Sequence, residues 1–393
     1  MKLDFASLLL VLSVANHRVS AQSCLLDGCL QSNQKSAGST TVYPYAKALA
    51  TSYKSICPKY SLSVEEGGSS VGAKRVCGDA TLGAVDIGNM SRDWKTSEAA
   101  KQSDGFTFNC LIGDTSRSVA QIAIANDAVV MVVKPDPPSK PVKPVAAPKP
   151  APSKPKPAKP SKPSPAAPKP SPITGLPTAG CIKKLGCLSK DMLRWMYSNY
   201  TVAQLSSSGW TNVLTNSDNN DATRLWSELD SACQATEIKI AGTDPLSGEY
   251  DFFKSAILTG GTSEGFRSGL VTYVDKTSVN SYVVSNPGGI GFNNYVTGFS
   301  TSTVTIAPLK NSAGACVAPN ASTVENLTYL LGRQNYVNVL KNNCTGLQAS
   351  LGFLSYAVSS AGQTVVGQNN GIALTNGQVS VAKSRISTLA KCI

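Results

Sequence analysis

The chain has 393 residues, of which 41% are hydrophobic, and it carries a formal net charge of +12 at pH 7. Its single histidine, His17, lies in an N-terminal stretch typical of a removable signal, so we expect none in the processed chain. That absence excludes Ser-His-Asp and Cys-His catalysis and every histidine-ligated metal site. We therefore expect that the protein is not an enzyme and that it binds no cofactor.

Residues 1–22 have the pattern of a secretory signal. Lys2 supplies the charge, residues 8–14 form a short apolar core, and residues 19–21 are a small-residue cleavage end. The apolar core is too short to span a bilayer, and no second long apolar run follows. We expect a secreted protein, extracellular or in a cell wall, without a transmembrane segment.

The cysteine and asparagine patterns also indicate a secreted protein. In an exported chain, cysteines are typical of disulfides, and their number here, 11, leaves at least one thiol free or paired outside the chain. No pair has the spacing of a zinc site. Glycosylation sequons, which favour a eukaryotic secretory route, begin at Asn89, Asn199, Asn320, Asn326 and Asn343.

Two segments near the N-terminus place small hydroxyl or glycine residues directly before a helical pattern. Residues 38–44 lead into a predicted helix over 45–53, and residues 67–72 lead into another over 73–77. A helix start offers unpaired N–H groups and the positive end of a dipole, both favourable for an anion. Either segment alone is more often a simple helix cap.

Residues 84–92 are predicted to be a strand that runs into a loop, and Arg92 is the last of them. A guanidinium can hold an oxyanion through two parallel hydrogen bonds. The alternative is a surface ion pair, and the sequence leaves both interpretations open.

Residues 134–177 are an insert of Pro, Lys, Ala and Ser, and they follow a buried-strand pattern over residues 128–133. The insert contains nine lysines and one aspartate, so most of the net charge belongs to it. Such composition favours an extended polyproline chain. It indicates either attachment to acidic wall or matrix polymers or a solvated spacer. Nucleic acid is not expected, because no aromatic residues are interleaved.

After the insert, Ser189 is a plausible cap for a predicted helix, and a third hydroxyl-rich helix start follows at residues 244–248. This start reads Asp-Pro-Leu-Ser-Gly and leads into a helical pattern from Glu249. Three such starts, each after a short apolar strand, favour convergence on one shared anion.

Taken in order, several stretches resemble the phosphate-binding protein of bacterial high-affinity phosphate importers, a type 2 periplasmic binding protein. They read GSTTVYPYAKALATSY, VEEGGSSVGAKRVCGDATLGAVDIGNMSRD, NDAVVMVVKPD, CLSKDMLRWMY, IKIAGTDPLSGEYDFFKSAI and GGIGFNNY. The resemblance implies an α/β fold of two lobes, each with a mixed, mostly parallel sheet flanked by helices, around a cleft. It implies a first lobe over residues 23–130 and 331–393 and a second over 131–330, which the insert interrupts.

The resemblance also implies a ligand site. Donors to the anion would be Thr40, Thr41, the N–H of Val42, Ser69, Ser70, Ser91, Arg92, Ser247 and Gly248. Asp244 would orient Arg92 or accept a proton from phosphate. A carboxylate acceptor disfavours sulfate, which has no proton to donate.

The sequence departs from the family pattern Thr-Asp-Ser-Gly-Thr at the third helix start. Pro245 and Leu246 are inserted, and Glu249 replaces the last threonine. Glu249 is either a helix-start residue that suits the dipole or a group that repels or replaces the ligand. A glycan at Asn89 would obstruct the cleft, so we expect that sequon to be unoccupied in a binding protein.

The leading hypothesis is reversible capture of phosphate or a related oxyanion by a monomer whose two lobes close on it. The ligand would pass to a membrane transporter or receptor. The alternative is a wall or matrix protein, structural or adhesive, that uses the fold without tight phosphate binding and attaches through residues 134–177. A phosphatase is a third hypothesis, which the missing histidines disfavour.

Overall fold

The computed structural model describes residues 29–135, 175–199, 223–258, 265–295, 301–341 and 344–391. The expected signal of residues 1–22, most of the insert and the Asn343 sequon lie outside the described residues.

Helices and strands alternate along the described chain. The helices are α1 (Tyr43–Ile56), α2 (Ser69–Val76), α3 (Thr178–Leu185), α4 (Lys190–Tyr197), α5 (Trp226–Leu229), α6 (Gly248–Phe253), α7 (Lys276–Ser285), α8 (Ala321–Glu325), α9 (Cys344–Ala357), α10 (Ser360–Gln368) and α11 (Asn376–Ala390). The strands are β1 (Ser32–Gly38), β2 (Tyr60–Glu66), β3 (Ile87–Met90), β4 (Ala99–Lys101), β5 (Thr107–Cys110), β6 (Ser118–Val133), β7 (Lys239–Thr243), β8 (Val271–Tyr273), β9 (Gly289–Tyr295), β10 (Thr305–Ala307), β11 (Leu309–Lys310), β12 (Cys316–Val317) and β13 (Gly332–Leu340).

Two long antiparallel strands, β6 and β13, connect the two halves of the molecule. The sheet order is β2-β1-β3-β13-β6-β9-β7-β8, and β5 and β10 also pair with β6. The outer strands are parallel within each half, β1 with β2 and β3, and β7 with β8 and β9. Eleven of the described strands therefore form one continuous mixed sheet that runs through both halves, and β11 and β12 pair with each other in a separate two-stranded sheet.

Two large hydrophobic cores divide the described chain. One contains α1, α9, α10 and α11 with the first part of β6, and we call this half lobe 1 (residues 29–127 and 332–391). The other contains the end of β6 together with α3, α4, β7 and β9, and we call it lobe 2 (the described residues between 128 and 331). A smaller core beneath α2 completes lobe 1. Strand β6 runs through both cores, and the chain returns from lobe 2 to lobe 1 at the start of β13, so these two strands are positioned to act as the hinge.

Local sequence explains where several of these elements begin. The strand predicted over residues 128–133 is confirmed as the buried end of β6. Ser189 is confirmed as the cap of α4, since its side chain accepts the N–H of Met192. Helix α2 begins at Ser69, earlier than predicted, because Gly68 adopts φ 86° and turns the chain directly into the helix. Ser69 therefore lies in the first helical turn.

Disulfides close loops in both lobes. The described bonds join Cys29 to Cys57, Cys77 to Cys110, Cys181 to Cys233 and Cys187 to Cys316. The first two cysteines after the insert are thus each bonded to a later part of lobe 2, and this fixes the chain where the insert rejoins it. No helix within the described ranges is long and apolar enough to cross a membrane.

Candidate functional site

Serine hydroxyls meet at the edge of lobe 1 where β1 and β3 end. Ser39 follows β1, Ser69 begins α2 and Ser91 follows β3, and all three are buried. Ser39 Oγ donates to Ser91 Oγ at 2.9 Å, and the hydroxyls of Ser69 and Ser91 are 3.2 Å apart. The backbone N–H of Thr41 donates to Ser39 Oγ at 3.2 Å. These groups have the chemistry of an oxyanion site, and here they satisfy one another.

Lobe 2 lies directly against this serine group. A Cβ atom added to Gly248 would be 1.9 Å from Ser91 Oγ and 2.9 Å from Ser69 Oγ, so only glycine fits there. A Cβ atom on Gly68 would likewise be 2.0 Å from the carbonyl oxygen of Leu246. The inserted Pro-Leu turn therefore makes a second contact across the cleft, and the lobes are closed at this point.

Arg92 is buried beside the serine group and is held by both lobes. Its Nη1 and Nη2 donate to the two carboxylate oxygens of Glu98 at 2.9 and 2.8 Å. Nη1 also donates to the Asp93 carbonyl, Nη2 to Ser70 Oγ, and Nε to Asp251 of lobe 2 at 3.3 Å. Each N–H of the guanidinium has an acceptor, so a ligand at Arg92 would have to replace one of them.

Asp251 connects α6 of lobe 2 to three donors of lobe 1. Its Oδ2 accepts from Ser70 Oγ at 2.9 Å and lies 3.1 Å from Lys95 Nζ and 3.3 Å from Arg92 Nε. Burial alone would raise the pKa of Asp251, but the positive charges of Arg92 and Lys95 outweigh burial and hold that pKa below its ordinary value. The carboxylate is therefore ionised at neutral pH.

Glu249, in the first turn of α6, is fully buried and points toward lobe 1. Thr41 Oγ1 donates to Glu249 Oε1 at 2.6 Å, and Asn294 Nδ2 donates to the same oxygen at 2.6 Å. Arg333 Nη2 lies 4.0 Å away. A carboxylate of the chain itself thus occupies a buried position that is lined by hydrogen-bond donors from both lobes.

A buried ion pair between the two crossing strands supports the start of α6. Arg333 on β13 donates from Nε and Nη2 to the two oxygens of Asp127 on β6, at 2.6 and 2.8 Å. Its Nη1 donates to the carbonyl oxygen of Gly248 at 2.7 Å. The hinge strands therefore hold Gly248 in place against lobe 1 through one guanidinium.

Among the described residues, carboxylates outnumber the positive groups in the closed cleft by one. Two guanidiniums and one ammonium face four carboxylates, namely Arg92, Arg333 and Lys95 against Glu98, Asp127, Glu249 and Asp251. A further anion would therefore enter a site whose positive groups are already paired with carboxylates of the chain.

Most of the predicted site residues lie together. The cleft contains Thr41, Ser69, Ser70, Ser91, Arg92, Gly248 and Glu249, and Ser247 caps α6 by accepting the N–H of Tyr250. The N–H of Val42 is directed at Ser39 Oγ, and Thr40 lies partly exposed in the turn before α1. Asp244 accepts the N–H of Leu246 in its own turn, whereas the carboxylates at Arg92 are Glu98 and Asp251.

The sequence analysis missed residues that come from the central strands. Asp127, Asn294 and Arg333 are buried polar residues on the central strands β6, β9 and β13. A buried polar residue needs a partner, so Asn-Asp within the apolar run of β6 and Asn-Asn within β9 were the available signals.

The Asn89 sequon lies on β3, where the side chain is 1% exposed and donates to Ser36 Oγ at 2.7 Å. The nitrogen that would carry a glycan therefore already has a buried partner. By contrast, Asn320 and Asn326 are exposed.

Comparisons with known proteins agree with this architecture. Residues 28–162 match the family model described as a PBP superfamily domain. Protein SphX of Synechococcus elongatus is 24% identical over 298 residues, which cover 74% of this chain and 63% of SphX. The chain thus spans less than two thirds of the length of this relative.

Two solved structures share the fold at low sequence identity. The crystal structure of a possible phosphate binding protein from Planctomyces limnophilus is 16% identical, with a TM-score of 0.53, over 92% of this chain and 99% of that chain. An ABC-type phosphate transport receptor from Vibrio cholerae has the same identity, 16%, and TM-score, 0.53, over 86% of this chain and 99% of that chain. The expected two-lobed α/β fold is confirmed.

Proposed function

We propose that this chain, which carries a PBP superfamily domain in the two-lobed fold of periplasmic phosphate-binding proteins, reversibly captures phosphate or a similar oxyanion between its lobes. The ligand would be held by the serine group, Thr41 and Arg92 from lobe 1 and by the start of α6 from lobe 2. We further propose a secreted protein that passes its ligand to a membrane transporter.

One observation carries this proposal: an anion already lies between the lobes, on donors from both. The Glu249 carboxylate accepts from Thr41 and Asn294 at 2.6 Å each, next to Arg333 at 4.0 Å. Donors that hold one oxyanion in a buried position can hold another of similar size when the first moves out. The serine hydroxyls next to Gly248 supply the remaining donors for a tetrahedral ligand.

The carboxylates near these donors would favour a protonated oxyanion. A phosphate monoanion or dianion carries a proton that a carboxylate accepts, whereas sulfate at neutral pH has none to offer. Phosphate bound next to Asp251 would therefore gain a hydrogen bond where sulfate would meet only repulsion. We expect discrimination by this acceptor and not by charge alone.

Thermal unfolding tests the proposal through mass action. A ligand that binds only the folded chain raises Tm, and at a concentration 100 times Kd the stabilisation is about 2.7 kcal/mol. We expect millimolar phosphate to raise Tm of the wild type and to leave Arg92→Ala unchanged. Arg75→Ala is the control, because Arg75 lies on lobe 1 in an exposed pair with Glu65 and should keep the response. Absence of any phosphate response in the wild type contradicts the proposal.

Attachment to extracellular polyanions is a second candidate function. Two observations favour it: the insert of residues 134–177 contains nine lysines, and the closed cleft is charge-compensated without a ligand. This function predicts salt-sensitive binding to acidic polymers that disappears when residues 134–177 are deleted. Binding that survives the deletion excludes the insert as the attachment site.

A further inference from the structure

Resting on the proposed function, we infer that Glu249 is an internal competitor of the ligand, which closes the cleft in the absence of phosphate and which phosphate must displace.

The first step of the argument is position. Glu249 is 0% exposed, and its Oε1 accepts from Thr41 of lobe 1 and from Asn294 on β9 of lobe 2. A helix-start carboxylate that served only the dipole would face solvent or its own helix N–H groups. Here the side chain crosses the cleft instead and accepts a hydrogen bond from Thr41 of the other lobe.

The second step is that Asp251, two residues after Glu249 on α6, also crosses the cleft and contacts donors of lobe 1. It accepts from Ser70 and lies against Arg92 and Lys95. The first turn of α6 therefore presents two carboxylates to lobe 1, and Glu249 is the more deeply buried of the two. Because both carboxylates are covalently part of the chain, they compete with phosphate for these donors at an effective concentration on the order of millimolar or more.

The third step is that the inserted turn brings α6 close enough for this contact. The Leu246 carbonyl lies against Gly68, and Gly248 lies against Ser91. Arg333 holds the Gly248 carbonyl from the hinge at 2.7 Å. Contacts of the chain with itself thus hold the lobes together at this point.

Removal of the Glu249 carboxylate should therefore improve phosphate binding. Relative to the wild type, we expect Glu249→Thr to lower the phosphate Kd by about tenfold or more, which equals about 1.4 kcal/mol or more. Glu249→Gln retains the size and an acceptor oxygen and should give a smaller change in the same direction. The matched control is Glu237→Thr, which removes one exposed acid at the opposite end of β7.

The experiment is calorimetric titration of the full processed chain and these three variants with inorganic phosphate, together with amide hydrogen exchange without ligand. The expected result is the tightest phosphate binding by Glu249→Thr, a smaller gain by Glu249→Gln and an unchanged Kd for Glu237→Thr, with faster ligand-free exchange at Ser91 and Gly248 in Glu249→Thr. Equal Kd values for wild type and Glu249→Thr would overturn the inference that Glu249 competes with phosphate, and they would not contradict phosphate capture itself. If neither wild type nor either Glu249 variant binds phosphate, both the inference and the proposed function are wrong.

Discussion

Thr41 Oγ1 of lobe 1 donates to Glu249 Oε1 of lobe 2 at 2.6 Å, across a sequence separation of 208 residues. Both side chains are buried, so this contact lies inside the closed cleft and not at its rim. Thr41 is a donor that we expect to hold the ligand, and here it binds the Glu249 carboxylate of the chain itself. The account of function depends on this pair, because a ligand and Glu249 cannot both use Thr41.

The contact between Gly248 and Ser91 predicts a strong effect of one added methyl group. In Gly248→Ala, the new Cβ would be 1.9 Å from Ser91 Oγ, so the lobes must separate or the core must shift. Overpacking of this kind costs about 1–3 kcal/mol. We expect a lower free energy of unfolding and loss of the phosphate-dependent rise in Tm.

A matched control exists on α10, where a Cβ on Gly367 would meet nothing within 4 Å. Gly367→Ala should leave the phosphate response intact and change stability by no more than about 1 kcal/mol, in the stabilising direction. Equal effects of the two substitutions in denaturant unfolding would contradict the closed geometry at Gly248.

Loss of one partner of the Arg333–Asp127 pair should be costly. Arg333→Leu leaves the Asp127 carboxylate buried, with a side-chain exposure of 1% for that residue. Breaking a buried pair in this way costs about 3–5 kcal/mol. The contrasting variant is Glu65→Ala, which breaks an exposed pair with Arg75 and should cost at most about 1 kcal/mol. Urea unfolding of both variants checks the difference.

Asp251 predicts a defined dependence of stability on pH. Its pKa in the folded chain lies below the ordinary value of 3.8, so its stabilising effect is fully present above that value. The effect is lost as the pH falls through the lower, folded-state pKa. The stability difference between wild type and Asp251→Asn should therefore be constant near neutral pH and should shrink below about pH 4. A difference that grows on acidification would contradict the pairing with Arg92 and Lys95.

Glycan occupancy should differ among the sequons. When the chain passes through a eukaryotic secretory route, we expect the exposed Asn320 and Asn326 to be modified and Asn89 to remain unmodified. The reason is that Asn89 Nδ2 donates to Ser36 Oγ at 2.7 Å inside the sheet. Peptide mass spectrometry measures each site, and a glycan on Asn89 in folded protein would contradict the buried position.

Local sequence was enough to predict parts of the fold. Ser189 and the apolar run 128–133 are short-range signals, since a cap needs only its own first turn and a buried strand only its own residues. The resemblance to the phosphate-binding protein family predicted the two-lobed architecture, which short-range signals alone do not indicate. The start of α2 was displaced because the backbone at Gly68 turns earlier than the hydrophobic pattern indicates.

The partners within the cleft could not be predicted, because lobe closure determines them. Arg92 was expected beside Asp244, yet its acceptors are Glu98, six positions away, and Asp251, separated by 159 positions. The inward direction of Glu249 also depends on where the inserted turn places α6. Such pairs lie far apart in sequence and become visible only when the lobes are in contact.

Calorimetric titration of the wild-type processed chain with phosphate, and separately with sulfate, tests oxyanion capture most directly. The account predicts saturable heat with phosphate, weaker or no heat with sulfate, and no phosphate heat in Arg92→Ala. Absence of saturable phosphate heat in the wild type would contradict it.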